Sequence, residues 1–108
     1  MIFTKDSIDK IRAGRKWETR RIWKKPHVKV GGVYRTRSSR FAKCDPDAPT
    51  IRVLEVRREK LADHVSYNKA VAEGFNTLGE FVEVWRKLHG RWNPFQWVYV
   101  VRFEVVDP

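Results

Sequence analysis

Apolar residues recur along this chain with two different periods. Near the start, Ile8 and Ile11 stand three apart within Lys5 to Ala13, which predicts a short helix stopped by Gly14. The stretch Lys16 to Trp23 mixes aromatics with Thr and Ile and predicts a strand or extended segment. Pro26 and Gly31-Gly32 punctuate the residues after Trp23, the glycine pair as a hairpin turn. Val33 to Arg37 predicts a strand with Arg35 and Arg37 on one face, and Phe41 to Pro49 a loop. Thr50 to Arg58 predicts another strand. Its adjacent Val53 and Leu54 break the alternation, which predicts either a bulge or cover on both faces.

The second half is more regular. Tyr67 to Glu73 predicts a short helix capped by Ser66 and ended by Gly74. Thr77 and Glu80 have capping-box spacing, and Leu78, Phe81, Val82, Trp85 and Leu88 behind them form one helical stripe that ends at Gly90. Gln96 to Val106 alternates Trp97, Tyr99, Val101, Phe103 and Val105 with more polar positions. Val98 and Val100 make the other face apolar too, which predicts a central strand.

Strands and helices do not alternate, so a doubly wound fold is not expected. The order predicts an α+β fold, a small mixed barrel or sheet with helices packed on it. The 108 residues fit one domain, residues 1–108. No apolar run approaches the roughly 20 residues of a spanning helix. The start turns charged at once, unlike a secretory leader, and Cys44 is the one cysteine. The cytoplasm is therefore the expected compartment.

Charge sharpens the picture. The chain carries 23 Lys and Arg against 13 Asp and Glu, a balance of +10. Residues 1–43 hold a balance of +11 and residues 44–108 a balance of −1. A merely soluble protein intersperses its signs. Cations concentrated in one segment raise the local density of anions, so a polyanion, RNA or single-stranded nucleic acid, is the expected partner.

The run Ile11-Arg-Ala-Gly14-Arg-Lys16-Trp-Glu-Thr19-Arg20-Arg21 resembles the signature of the ASCH domain family, a short helix followed by Gly-x-Lys and then Thr-Arg. Ala72-Glu73-Gly74-Phe75, the Thr77-x-x-Glu80-Phe81 helix start, Trp85 and the aromatic closing strand resemble that family's C-terminal half. The resemblance implies a β-barrel similar to the PUA domain. It also implies RNA binding in a cleft beside Gly-x-Lys. One branch of the family hydrolyses acetylcytidine with a Lys, a Thr three residues later and a distant Glu. The matching positions here are Lys16, Thr19 and Glu73.

Read as a binding surface, Arg15, Lys16, Arg20, Arg21, Arg35, Arg37 and Arg40 supply phosphate or base contacts, with Trp17 or Trp23 to stack on unpaired bases. Read as an amidohydrolase, Thr19 is the nucleophile, Lys16 the base that takes its proton, and Glu73 the acid for the leaving amine. On a regular strand Lys16 and Thr19 would face opposite ways, so this reading needs a bulge or turn between them. A ribonuclease using the same cleft is a third reading. None of the three needs a cofactor. His27, His64 and His89 stand far apart with no metal-ligand spacing, so no metal site is expected. His89 beside Gly90 suits a helix C-terminus.

Overall fold

A computed structural model describes residues 1–39, 48–61 and 67–106. Among the described residues three helices and four strands follow one another in this order: α1 (Lys5–Arg12), β1 (Glu18–Arg21), β2 (Val33–Arg35), β3 (Thr50–Lys60), α2 (Tyr67–Ala72), α3 (Leu78–His89) and β4 (Trp97–Val106). The strands form one antiparallel sheet in the order β1-β4-β3-β2. The α+β class stands, but the sheet of the described strands is open rather than a closed barrel. A parallel bridge, Ile2 to Arg37, adds a mixed element at the β2 end.

β4 is central, as its two apolar faces require. Val101 and Phe103 turn to one core with Phe3, Ile8, Ile11, Val28, Ile51 and Val53. Val98 and Val100 turn to a second core with Leu61, Ala70, Phe81 and Trp85. The two cores lie on opposite faces because strand side chains alternate. Each fully buried aliphatic or aromatic side chain contributes roughly 1.5–3 kcal/mol.

Local signals account for the helix ends. Thr4 caps α1 by accepting from the Ser7 backbone N–H at 3.1 Å. Thr77 does the same for α3 through Glu80 N–H at 3.1 Å, so half of the capping box is visible. Gly90 closes α3 in the left-handed region, φ 84°, which a side chain disfavours.

Several sequence expectations are corrected. The Gly31-Gly32 pair is not a hairpin between two strands. It forms a tight turn, Gly32 N–H to the Lys29 carbonyl at 3.0 Å, that leads into β2 beside Val53 of β3. β2 ends at Arg35: Thr36 still donates its backbone N–H at 3.1 Å and its hydroxyl at 2.7 Å to the Pro49 carbonyl, but Pro49 has no N–H to return. β3 runs two residues past Arg58 because β4 continues to pair with it. Its register shifts between Val53 and Glu55, so Leu54 is the extra residue of a bulge, one of the two outcomes its broken alternation predicts. Leu88 leaves the buried stripe and is 60% exposed at the end of α3. Most of the Phe41–Pro49 loop, Cys44, His64 and the Ser66 cap lie outside the described residues.

Candidate functional site

The segment between α1 and β1 is held on both sides. Trp17 N–H donates to the Ala72 carbonyl at 2.9 Å, and Phe103 N–H donates to the Trp17 carbonyl at 3.0 Å. Lys16 is therefore fixed at the end of α2, beside Glu73. It precedes β1, so strand alternation does not set its direction relative to Thr19. Lys16 Nζ donates to Glu73 Oε1 at 2.8 Å and to the Glu73 carbonyl at 3.1 Å. Arg20 Nη1 donates to Glu73 Oε2 at 3.0 Å. Lys16, Thr19 and Arg20 are each 5% exposed and Glu73 6%.

Behind this pair lies an ionic network, buried at Arg20, Glu18 and Glu59 and reaching solvent at Arg57 and Glu55. Arg20 Nη2 reaches Glu18 at 3.1 Å and Glu59 at 3.5 Å. Lys69 bonds Glu59 at 3.0 Å, and Arg57 reaches Glu18, Glu55 and Glu59. Among the described residues no buried side-chain nitrogen or oxygen lacks a hydrogen-bond partner. Such completeness matters, because an unmatched buried charge costs several kcal/mol.

The pair forms part of the wall of a cleft of about 680 Å³. Thr19, Arg20 and Arg21 contribute from β1. Phe81, Val84, Trp85, Leu88 and His89 contribute from α3, with Phe75 before it, and Ile2, Phe3, Thr4, Asp6, Ser7, Ile22, Trp23 and Ser38 complete the wall. β1 is an edge strand, so the cleft wraps past it and draws on both faces of the sheet. Arg21 Nε donates to Thr19 Oγ1 at 3.2 Å, and its Nη2 donates to the Ile2 carbonyl at 2.7 Å. His89 packs on Trp85 with ring centroids 4.1 Å apart.

Burial pushes the Lys16 ammonium below its ordinary pKa. Contact with Glu73 opposes the shift, and Arg21 and Arg20 add to it. Burial also lowers the His89 imidazole, with Arg21 adding to the effect. The cleft thus holds a lysine and a histidine that are both easier to deprotonate than usual.

The residues singled out from the sequence separate in space. Lys16, Thr19, Arg20, Arg21, Trp23 and Glu73 meet at the cleft. Arg15 and Trp17 line a different, smaller hollow of about 280 Å³, where Arg15 donates to Asn76 at 3.4 Å. Arg35 lies exposed on β2, Arg37 lies half-buried just beyond it, and neither lines the cleft. Arg40 lies outside the described residues. The cations at Lys16 and Arg20 are locally matched by Glu73, Glu18 and Glu59.

Sequence reasoning missed Glu18 and Glu59 as partners of Arg20, and Arg57 as a second cation on both carboxylates. It also took Phe81, Trp85 and His89 only as helix residues. Their spacing of four put them on one face, but nothing in it showed that β1 would lie opposite. Among the described residues no three His, Cys, Asp or Glu side chains group as metal ligands. No helix among them is long and apolar enough to cross a membrane.

No protein-family model matches the chain, and no curated protein matches it. Solved structures do. An ASCH domain from Lactobacillus crispatus JV V101 superposes with a TM-score of 0.72 at 16% identity, over 93% of this chain and 70% of that one. A protein of the DUF984 family model from Enterococcus faecalis V583 gives 0.65 at 21% identity, over 94% and 71%. The hypothetical protein PH0355 gives 0.68 at 15% identity, over 96% and 94%.

Proposed function

We propose that this chain, which has the ASCH fold, binds a cytidine-type nucleoside in the cleft and hydrolyses an acyl amide on its base. The observation that carries this reading is the buried Lys16–Glu73 contact in a cleft that Thr19 also lines. The cleft volume falls in the range of roughly 300–1,000 Å³ typical of small-molecule sites. Aromatic walls suit a flat base. The matched charges of Lys16 and Arg20 suit a neutral base better than a run of phosphates.

The chemistry balances within the pair. A proton shift along the 2.8 Å contact converts the ammonium and carboxylate into a neutral amine and carboxylic acid. Lys16 Nζ then takes the Thr19 hydroxyl proton as Thr19 Oγ1 attacks the acyl carbonyl. The bond from the carbonyl carbon to the exocyclic nitrogen breaks, and Glu73 gives its proton to that nitrogen. The free amine leaves, the acyl group stays on Thr19, and the ion pair is restored. Water repeats the cycle. Its proton goes to Lys16, its oxygen to the acyl carbon, and the Glu73 proton to Thr19 Oγ1. Arg20 holds the second carboxylate oxygen of Glu73 and so orients the first toward Lys16.

Incubation with acetylcytidine tests this directly. Acetate and cytidine should appear in equal amounts, and Thr19→Ala or Lys16→Ala should abolish their release. A folded wild-type protein that yields no acetate across the pH range rejects the chemistry. RNA binding without turnover is the second reading. The exposed cations Lys24, Lys25, Lys29 and Arg35 favour it. It requires affinity that falls steeply with salt.

A further inference from the structure

Past the cleft, the face of the sheet that carries Val101 and Phe103 continues beyond its core. In register, Arg58 stands opposite Tyr99 and Lys60 opposite Trp97. The Arg58 guanidinium lies 4.9 Å from the Trp97 ring centroid and 5.9 Å from that of Tyr99. Lys60 Nζ lies 5.6 Å from Trp97 and 5.9 Å from Phe95. Phe95 is 74% exposed and Trp97 45%. Tyr99 then meets Trp23, with centroids 6.3 Å apart, and Trp23 lines the cleft. Rings and cations thus alternate in one track that ends at the cleft mouth.

We propose that this track binds single-stranded RNA, with Phe95, Trp97 and Tyr99 stacking on bases and Arg58 and Lys60 contacting phosphates. Three observations favour that occupant. Two large aromatics left in water beside each other mark an interaction surface. The carboxylates of β3, Glu55 and Glu59, pair on the opposite face with Arg57 and Lys69, so the track itself presents cations. Trp97 and Tyr99, alternate residues of β4, stand about 7 Å apart. That is roughly twice the 3.4 Å step of stacked nucleotides, the opening a ring needs to sit between two bases. An exposed cation–π contact is weaker than base stacking. A base can therefore displace Arg58 from the ring and leave its guanidinium free to reach a phosphate.

The choice of RNA over DNA rests on the ribonucleoside reading of the cleft, but the track is separate from the residues proposed for turnover. The test titrates the intact protein with a short unstructured oligocytidine RNA and reads tryptophan fluorescence and anisotropy. Trp97→Ala should weaken binding by roughly 5- to 150-fold, the range that one lost base stack produces, and Arg58→Ala should weaken it and lower the salt slope by about one. Phe95→Ala is a further variant at a site too exposed to affect folding. All three should keep the wild-type thermal melt and wild-type acetylcytidine turnover.

Unchanged affinity in these variants overturns the proposal, whatever the turnover assay shows. So does equal affinity for duplex RNA or for the matching DNA, or equal competition by polyglutamate or anionic vesicles. Wild-type turnover without RNA binding leaves the hydrolase reading standing and removes the track. RNA binding that depends on Trp97, without turnover, does the reverse.

Discussion

Arg20 donates to Oε2 of Glu73 at 3.0 Å, which leaves Oε1 of the same carboxylate for Lys16. One guanidinium therefore links the Lys16–Glu73 pair to the carboxylates of β1 and β3. Replacing it with Met leaves Glu73 and Glu18 short of a partner in a buried site. The expected cost is about 3–5 kcal/mol. Thermal unfolding should show a Tm loss of roughly 4–8 °C per kcal/mol. An R20M melt indistinguishable from wild type would contradict the network.

Turnover should depend on pH through the pair. In the proposed hydrolysis the active state holds one proton between Lys16 and Glu73. Raising the pH through the lowered Lys16 pKa removes it, so the alkaline limb of the rate profile should lie below the ordinary lysine range. Stability should move the other way. Between the lowered value and the ordinary one the unfolded chain binds the extra proton, so folding gains as pH rises through that window. A rate profile paired with chemical denaturation over the same range checks both signs.

Acid should loosen the opposite side of the network. Burial alone would raise the Glu59 carboxyl, but Lys69, Arg20 and Arg57 together hold its pKa below the usual value. A depressed carboxylate contributes stability that is complete above its unfolded pKa and is lost as pH falls through the folded one. Stability should therefore decline below about pH 4.5. Glu59→Gln should flatten that decline while lowering stability at neutral pH.

Gly74 offers a test of how the site is held. Its φ is 93°, and a Cβ there would sit 3.0 Å from Lys10 Cδ and 3.2 Å from Lys16 Cβ. Gly74→Ala should cost about 1–2 kcal/mol from the left-handed backbone alone. Because the new methyl presses on Lys16, turnover should fall by more than the loss of folded protein explains. Activity per folded molecule, measured at a temperature well below the melt, separates the two effects.

Much of this architecture is legible in the sequence. The Thr77 cap, the Phe81–Trp85 spacing and the two-faced apolar pattern of β4 each report local chemistry, and each appears where its pattern places it. The meeting of Lys16 with Glu73 is legible only through the family resemblance. It depends on Trp17 bonding to Ala72 and Phe103, a backbone event with no side-chain signature. The division of the early cations was not legible. Arg20 is drawn inward by carboxylates distant in sequence, whereas Arg35 stays on a short strand at the far edge of the sheet. Composition counts such residues together, and topology sorts them apart.

The extra residue at Leu54 has an effect out of proportion to its size. Before it, the odd-numbered side chains of β3 join Phe103 and Val105 on one face; after it, the even-numbered ones do. That change of parity puts Arg58 and Lys60 beside the exposed rings and sends Glu55, Arg57 and Glu59 to the helical side. Without it the two sets would trade places. Acids would then border the aromatics, and Arg20 would lose Glu59 and share its face with Arg58 instead. One inserted position thus assigns opposite electrical characters to the two surfaces of a single strand.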